Sequence, residues 1–223
     1  MSEQTSTFLL EPDAIKLLRG YNIPFPKHAL AASPEEARTF AGDIGFPVVM
    51  KIVSPDVLHK SDAGGVLVNL IDPDQVEHGY HTLIENVNRH VPGARIKGVL
   101  VVEQAQQGVE TIIGALDDPT FGATVMFGLG GIFAEVLRDV TFRIAPFEKR
   151  DAEQMIREIK GFPLLSGARG AALCDLEAIS ELLLAVSRLV SEHPEIRELD
   201  LNPVRVYEKG LLVLDARVLM TAQ

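Results

Sequence analysis

The chain contains a single cysteine, Cys174, among 223 residues. One thiol excludes an internal disulfide and a four-cysteine metal site. Cys174 stands just before a helical pattern and reads as a small apolar residue rather than a nucleophile. Tryptophan is absent and aromatics make up only 6% of the chain, which argues against a platform for stacking bases. Positive charge is also scarce: 21 Lys and Arg stand against 31 Asp and Glu, a formal net charge of −10. A general nucleic-acid binder needs clustered basic residues, so that class is disfavoured. A nucleotide pocket is not, because it needs only a few basic groups or a metal held by carboxylates. No apolar run approaches the roughly 18 to 20 residues of a membrane span. The start, "MSEQTSTFLLEPD", has no basic region or cleavage site, which points to a cytoplasmic chain without a targeting peptide.

What is present is a largely apolar chain, 47% hydrophobic, enough for one sizeable core split into two lobes. "LEPDAIKLLRGY" predicts a short helix. "SPEEARTFAGDIG" predicts a second, capped by Ser33, with Pro34 in its first turn, Glu36 completing a capping box, and Gly42 or Gly45 at its end. "FPVVMKIV" and "GVLVNLI" predict strands, followed by a helix capped by Asp72 and stopped by Pro92-Gly93. "IKGVLVVEQA", "VETIIGALDD" and "GATVMFGLGG" predict three successive strands. Two amphipathic helices follow, the second with Leu176, Ile179, Leu183, Val186 and Val190 at helical spacing. "ELDLNPVRVYEKGLLVLDARVLM" predicts two strands joined at "EKG". Adjacent strands mixed with helices imply an α+β fold with mixed or antiparallel sheets in two lobes. We expect residues 1–102 to form one lobe and 103–223 the other, with "VVEQAQQG" as the hinge.

Several groups could carry chemistry. No Gly-x-x-x-x-Gly-Lys-Ser/Thr stretch occurs, which argues against a P-loop. "GLGGIF" lacks the third glycine of a dinucleotide fingerprint. Gly130 and Gly131 fit either a tight turn after a strand or a cradle of backbone N–H groups for phosphate oxygens. Lys51, inside an apolar strand, is either an outward or edge residue or a ligand of nucleotide phosphate. Glu103 and Glu110 are either solvated acids flanking a turn or acceptors for a ribose or amino group. Asp200 and Asn202 share a strand face, and a hairpin would bring Asp215 towards them. Such an oxygen set suits Mg²⁺. Pro203 limits its strand to an edge or a local irregularity. His78 and His81 stand three apart on a helix, but nothing supplies a third metal ligand.

The densest signal is "DVLHKSDAGGV", Asp56–Val66. A neutral imidazole is a competent nucleophile near neutral pH. Around His59, Lys60, Ser61 and the amides near Gly64 and Gly65 could bind phosphoryl oxygens, and Asp62 could orient the ring.

Taken together, "FPVVMKIVSPDVLHKSDAGGV", "GLGGIFAEVLRDVTFRIAP" and "ELDLNPVRVYEKGLLVLDAR" resemble the ATP-grasp β subunit of the ADP-forming acyl-CoA synthetases, with a more distant similarity to the β subunit of succinyl-CoA synthetase. The resemblance covers almost the whole chain. It implies two α+β lobes clamping ATP or ADP with Mg²⁺. It also implies a partner: a CoA-binding α subunit, most simply in an α2β2 assembly, because the chain begins near the first ATP-grasp helix and ends just after the Mg²⁺ hairpin. The implied reaction interconverts acyl-CoA, ADP and phosphate with acid, CoA and ATP. On this resemblance His59 relays the phosphoryl group, and Lys51 binds nucleotide phosphate. Glu103 and Glu110 are the acidic nucleotide-binding positions, Asn202 and Asp215 bind Mg²⁺, and Arg143 in "TFRIAP" is a weaker phosphate ligand. Asp200 stands where the succinyl-type enzymes carry a glutamate. Two alternatives remain open on the sequence. One is an ATP-grasp carboxylate ligase that has no need of His59; the other is a nucleotide-sensing regulatory module that does not turn over.

Overall fold

A computed structural model describes residues 6–131, 138–168 and 173–221. The part of the glycine-rich motif after Gly131, residues 132–137, therefore lies outside the described residues. In chain order the elements are β1 (Ser6–Phe8), α1 (Glu11–Arg19), β2 (His28–Ala31), α2 (Pro34–Ile44), β3 (Val48–Val53), β4 (Val66–Leu70), α3 (Pro73–His90), β5 (Gly98–Glu103), β6 (Val109–Asp118), β7 (Gly122–Leu129), β8 (Val140–Ile144), α4 (Lys149–Glu158), α5 (Phe162–Leu165), α6 (Leu176–Glu192), β9 (Ile196–Val206), β10 (Leu211–Val213) and β11 (Ala216–Thr221). They form two compact units, Pro26–Gln106 and Met1–Phe25 with Gln107–Gln223. Among the described residues no helix is long and apolar enough to cross a membrane.

The smaller unit is a sheet in the order β2-β5-β3-β4, antiparallel throughout, with α2 and α3 on one face. β3 shows why. Val48, Met50 and Ile52 are fully buried against Ala37, Ala41, Val76, Leu83 and Val87 of the helices, while Val49, Lys51 and Val53 alternate onto the other face. α2 starts where Ser33 Oγ accepts the Glu36 N–H, but the Glu36 carboxylate accepts the N–H of Ala32, one residue short of a reciprocal capping box. Of the two candidate glycines, Gly45 ends α2, at φ 96°. Asp72 caps α3 as its position predicts, taking the Gln75 N–H at 2.8 Å.

In the larger unit the sheet runs β1-β11-β9-β6-β7-β8, with β10 also beside β9. All pairings are antiparallel. α1, α4 and α6 pack against one face, burying Ile113, Phe127, Leu199 and Leu201 with Leu18, Met155, Ile179 and Leu183.

Three expectations differ from this arrangement. The first 25 residues belong with the C-terminal half, because β1 pairs with β11 (Ser6↔Thr221, Phe8↔Leu219) and α1 gives Ala14 and Leu18 to that core. The second boundary falls between Gln106 and Gln107, inside "VVEQAQQG". The C-terminal pair of strands is three: β10 follows the end of β9 and β11 follows its beginning.

Candidate active site

The His59 loop joins β3 to β4 and has two buried feet. Val57 is 5% exposed and Ala63 6%, both in the core under α2 and α3, whereas Leu58, His59, Ser61 and Asp62 are exposed. The second foot is a tight turn: Ala63 N–H donates to His59 O, Gly64 N–H to Ser61 O, and Gly65 N–H to Lys60 O at 2.7 Å. Gly65 O accepts the Ile52 N–H at 2.8 Å. Both glycines are required here. Gly64 has φ 65° and lies under Asn86, whose Nδ2 donates to its carbonyl, and a Cβ on Gly65 would fall 2.7 Å from Ile52 Cγ2. Among the described residues the His59 side chain makes no hydrogen bond, including none to Asp62. The imidazole is presented to solvent on a framework held at both ends.

Lys51 is 8% exposed and sits on an inner strand, opposite Leu100 of β5 and Val66 of β4. This overturns the edge or outward reading. A lysine is almost never this buried without a polar or anionic partner. Glu103 ends β5 opposite Val48, exchanging backbone with Lys27: its N–H donates to Lys27 O, and its Oε2 accepts the Lys27 N–H at 3.3 Å.

In the larger unit Asp200, Asn202, Asp215 and Arg217 share the sheet face away from the helices, since Leu201 and Ala216 between them are buried. Arg217 lies directly opposite Asp200, and Asn202 N–H donates to Asp215 O at 3.2 Å. Asp215 is not on a strand but in the break between β10 and β11. Pro203 explains the break. It has no N–H for the ladder; the β6–β9 register shifts beside it, and Leu214 N–H bonds to its carbonyl. It is thus a local irregularity in a central strand, and the candidate oxygen ligands cluster there.

Burial pushes the Asp200 carboxyl above its ordinary range; the Asp215 and Glu198 charges push the same way, while Arg217 opposes them. Two carboxylates and an amide on one face, their mutual repulsion opposed by Arg217 opposite Asp200, fit a divalent cation. Among the described residues no cluster of three His, Cys, Asp or Glu side chains is assembled. The set therefore suits Mg²⁺, which keeps water and phosphate oxygens among its ligands, better than a protein-enclosed Zn²⁺. The shift has a stability consequence. Because the folded pKa lies above the unfolded value of 3.8, stability contributed by this group falls as pH rises through that window, and the cost persists at neutral pH. Asp200→Asn is expected to melt higher than wild type at pH 7 without metal, with the gap closing below about pH 4. Millimolar Mg²⁺ should raise the wild-type melting temperature more than that of the variant. Melting curves across pH with and without Mg²⁺ check both points.

The remaining candidates have structural partners. Glu110 lies opposite Arg205 and is ion-paired with it, the Arg205 side chain being only 17% exposed. Gly130 N–H is committed to Glu110 O at 2.8 Å, and a Cβ there would lie 3.1 Å from Glu110 Cβ. Gly131 turns the chain at φ 61°. Arg143 makes a bidentate pair with Glu158, at 2.8 and 2.9 Å, which ties β8 to α4. Its weaker standing as a phosphate ligand has a physical reason: both Glu158 oxygens already occupy one of its nitrogens. Cys174 is buried, and burial raises its pKa, in line with an inert thiol. Arg205, Arg217 and Asn86 were not legible as site neighbours, because only strand register and loop packing reveal them.

Two antiparallel α+β units, one presenting a buried lysine beside a histidine loop and the other a carboxylate–amide face, have the makings of an ATP-grasp domain, and a family model of that description matches residues 1–220. The β subunit of acetate–CoA ligase (ADP-forming) I from Pyrococcus furiosus is 46% identical over 212 residues, covering 95% of this chain and 91% of that protein. Acetyl-coenzyme A synthetase 1 of Candidatus Korarchaeum cryptofilum, in complex with coenzyme A and Ca-AMPCP, matches with a TM-score of 0.94 at 53% identity, over 96% of this chain and 93% of that one. A second structure of that synthetase, with coenzyme A and Mg-AMPPCP and its phosphohistidine segment pointing towards the nucleotide-binding site, matches at a TM-score of 0.85 and 49% identity over the same fractions, 96% and 93%. The chain belongs to the ATP-grasp β subunits of the ADP-forming acyl-CoA synthetases, a family of acid–thiol ligases.

Proposed function

We propose that this chain relays a phosphoryl group through His59 between a CoA-binding α subunit and ADP, in the interconversion of acyl-CoA, ADP and phosphate with acid, CoA and ATP. The observation that carries this reading is the exposed, unbonded His59 imidazole on a loop with two buried feet. That the Pyrococcus relative is a β subunit supports a second kind of subunit; an α2β2 assembly is the simplest form. A cytoplasmic setting supplies its nucleotides.

The steps are two substitutions at phosphorus. A ring nitrogen of His59 attacks the phosphoryl donor of the partner; the P–N bond forms as the donor bond breaks. A β-phosphate oxygen of ADP then attacks, the P–N bond breaks, and the neutral imidazole is regenerated with ATP. Little covalent chemistry is left to the rest of the protein, which positions groups and neutralises charge. Lys51 offsets charge on the nucleotide phosphates. Glu103 and Glu110 accept hydrogen bonds from the nucleoside, Glu110 being oriented by Arg205. The backbone turn at Gly130 and Gly131 and the Arg143 guanidinium serve as secondary phosphate contacts. Asp200, Asn202 and Asp215 would hold Mg²⁺, which when bound neutralises phosphate charge.

The test is labelling with Mg·[γ-³²P]ATP in the presence of the α partner. Acid-labile, base-stable label is expected on the peptide containing His59. Tight nucleotide binding without such label would move the assignment to a direct carboxylate ligase or a nucleotide sensor.

A further inference from the structure

Asp56 opens the His59 loop, and Arg95, from outside the loop, holds its carboxylate. Arg95, in the stretch between α3 and β5, donates its backbone N–H to Asp56 Oδ2 at 2.7 Å, its Nε to Oδ2 at 2.9 Å and its Nη2 to Oδ1 at 2.7 Å. This fork-on-carboxylate geometry is directional. It lies at the surface, with the Arg95 side chain 70% exposed and that of Asp56 29%. An exposed pair is screened by water and opens easily, unlike a buried one. The combination suits a fastening that must both hold and release.

We propose that the Asp56–Arg95 pair is a latch on the His59 arm. Closed, it pins the first foot of the loop; open, it lets the arm swing between its two phosphoryl partners. The proposal rests on the histidine relay above. Its argument is reach. With Val57 docked, His59 is two residues from its pivot, and two residues of extended chain span about 7 Å at most. The next fixed point is Val53, 1% exposed at the end of β3. From there six residues span roughly 20 Å. Among the described residues the first foot buries Val57, and the polar restraints on it include the latch and the local Asp56 N–H to Ser54 Oγ bond at 3.1 Å. On the other side Asn86 and the turn at Gly64 and Gly65 keep the second foot in place.

A reversible lock tests this. Arg95's own amide reaches the Asp56 carboxylate, so the two main chains lie within side-chain reach, and the native Cys174 is buried and out of the way. The Asp56→Cys/Arg95→Cys double variant, assembled with the α partner, is oxidised and assayed for ATP formation from acetyl-CoA, ADP and phosphate. We expect turnover to fall at least 100-fold when locked and to return on reduction, with nucleotide affinity unchanged. Full turnover in the locked enzyme overturns the latch. Independently of disulfide formation, Arg95→Ala should speed hydrogen exchange at the Asp56 amide, which bonds Ser54 Oγ in the first foot, at least tenfold and leave the second-foot amides of Ala63, Gly64 and Gly65 and α3 unaffected. Unchanged exchange, or loss of protection throughout the unit, overturns it equally. If wild type takes no histidine label from Mg·ATP, the relay fails; if it labels and the locked form turns over, only the latch fails.

Discussion

His59→Gln is expected to lower ATP formation from acyl-CoA, ADP and phosphate by at least about 10⁴-fold, because removal of a covalent nucleophile leaves no route for the group it carries. Glutamine keeps the size and polarity of the side chain but cannot form a phosphoramidate. The structure makes this a clean experiment. The His59 side chain is exposed and bonded to no described residue, and its loop is held by backbone turns, Asn86 and two apolar feet. Substitutions at such positions usually change stability by less than about 0.5 kcal/mol. The melting temperature and nucleotide affinity should therefore stay near wild type while turnover disappears. Steady-state kinetics of the reconstituted enzyme, alongside calorimetric titration with ADP, give both numbers. A variant retaining a tenth of wild-type turnover would be incompatible with an obligatory relay. It would instead favour direct acyl phosphate formation on the nucleotide-binding chain.

The parts of the fold that could be read from the sequence are those whose signals are local. Ser33 and Asp72 announce α2 and α3 because a capping side chain acts within three residues. β3 through β7 have enough residues to show strand character. β1 and β2 do not: they have three and four residues, and each is defined by a partner elsewhere in the chain, as is β8, although it is as long as β4. The same non-locality hides the first domain boundary. Nothing in "STF" says that it will pair with β11, yet that pairing takes the first 25 residues out of the unit that follows them. The break at Leu214 and Asp215 is a related case. Pro203 signals an irregularity, but which strand yields to it depends on the register of three neighbours.

The site divides along the same line. Residue types and their spacing along one element were visible: the histidine among groups able to bind phosphate, and Asp200 two residues from Asn202. What surrounds each group was not. Arg217 faces Asp200, and Arg205 faces Glu110, only because two antiparallel ladders have those registers. Arg143 meets Glu158 through the packing of α4 against β8. Arg95 is 39 positions from Asp56, and no local pattern links a residue leading into β5 to the start of a loop after β3. In each instance one member of the pair is an arginine. Its long side chain reaches across elements, so its partner is a property of tertiary structure rather than of sequence spacing.

Lys51→Met is expected to cut the rate of phosphoryl transfer by about 10² to 10³-fold, the scale seen when one preorganised donor is removed from a transition state whose charge it stabilises. Methionine matches the apolar stem that lies between Leu100 and Val66 and removes only the ammonium. The substitution thus separates two reasons for burying a lysine. If Lys51 is there to meet nucleotide phosphate, loss of its charge weakens ADP and ATP binding and slows transfer while the fold persists. If its charge serves the packing of β3, the variant loses stability first, and activity follows the folded fraction. The geometry favours the first outcome. Met50 and Ile52, on the opposite face, already fix β3 to α2 and α3, and a strand so anchored does not need a buried ammonium to hold it. Moreover, burial strengthens a charge's interaction with a phosphate by excluding water, at a cost the protein carries throughout its folded life. Single-turnover phosphorylation of His59, measured with melting curves on the same samples, distinguishes the two: a large rate loss at an unchanged melting temperature assigns the lysine to the nucleotide, and parallel losses assign it to the sheet.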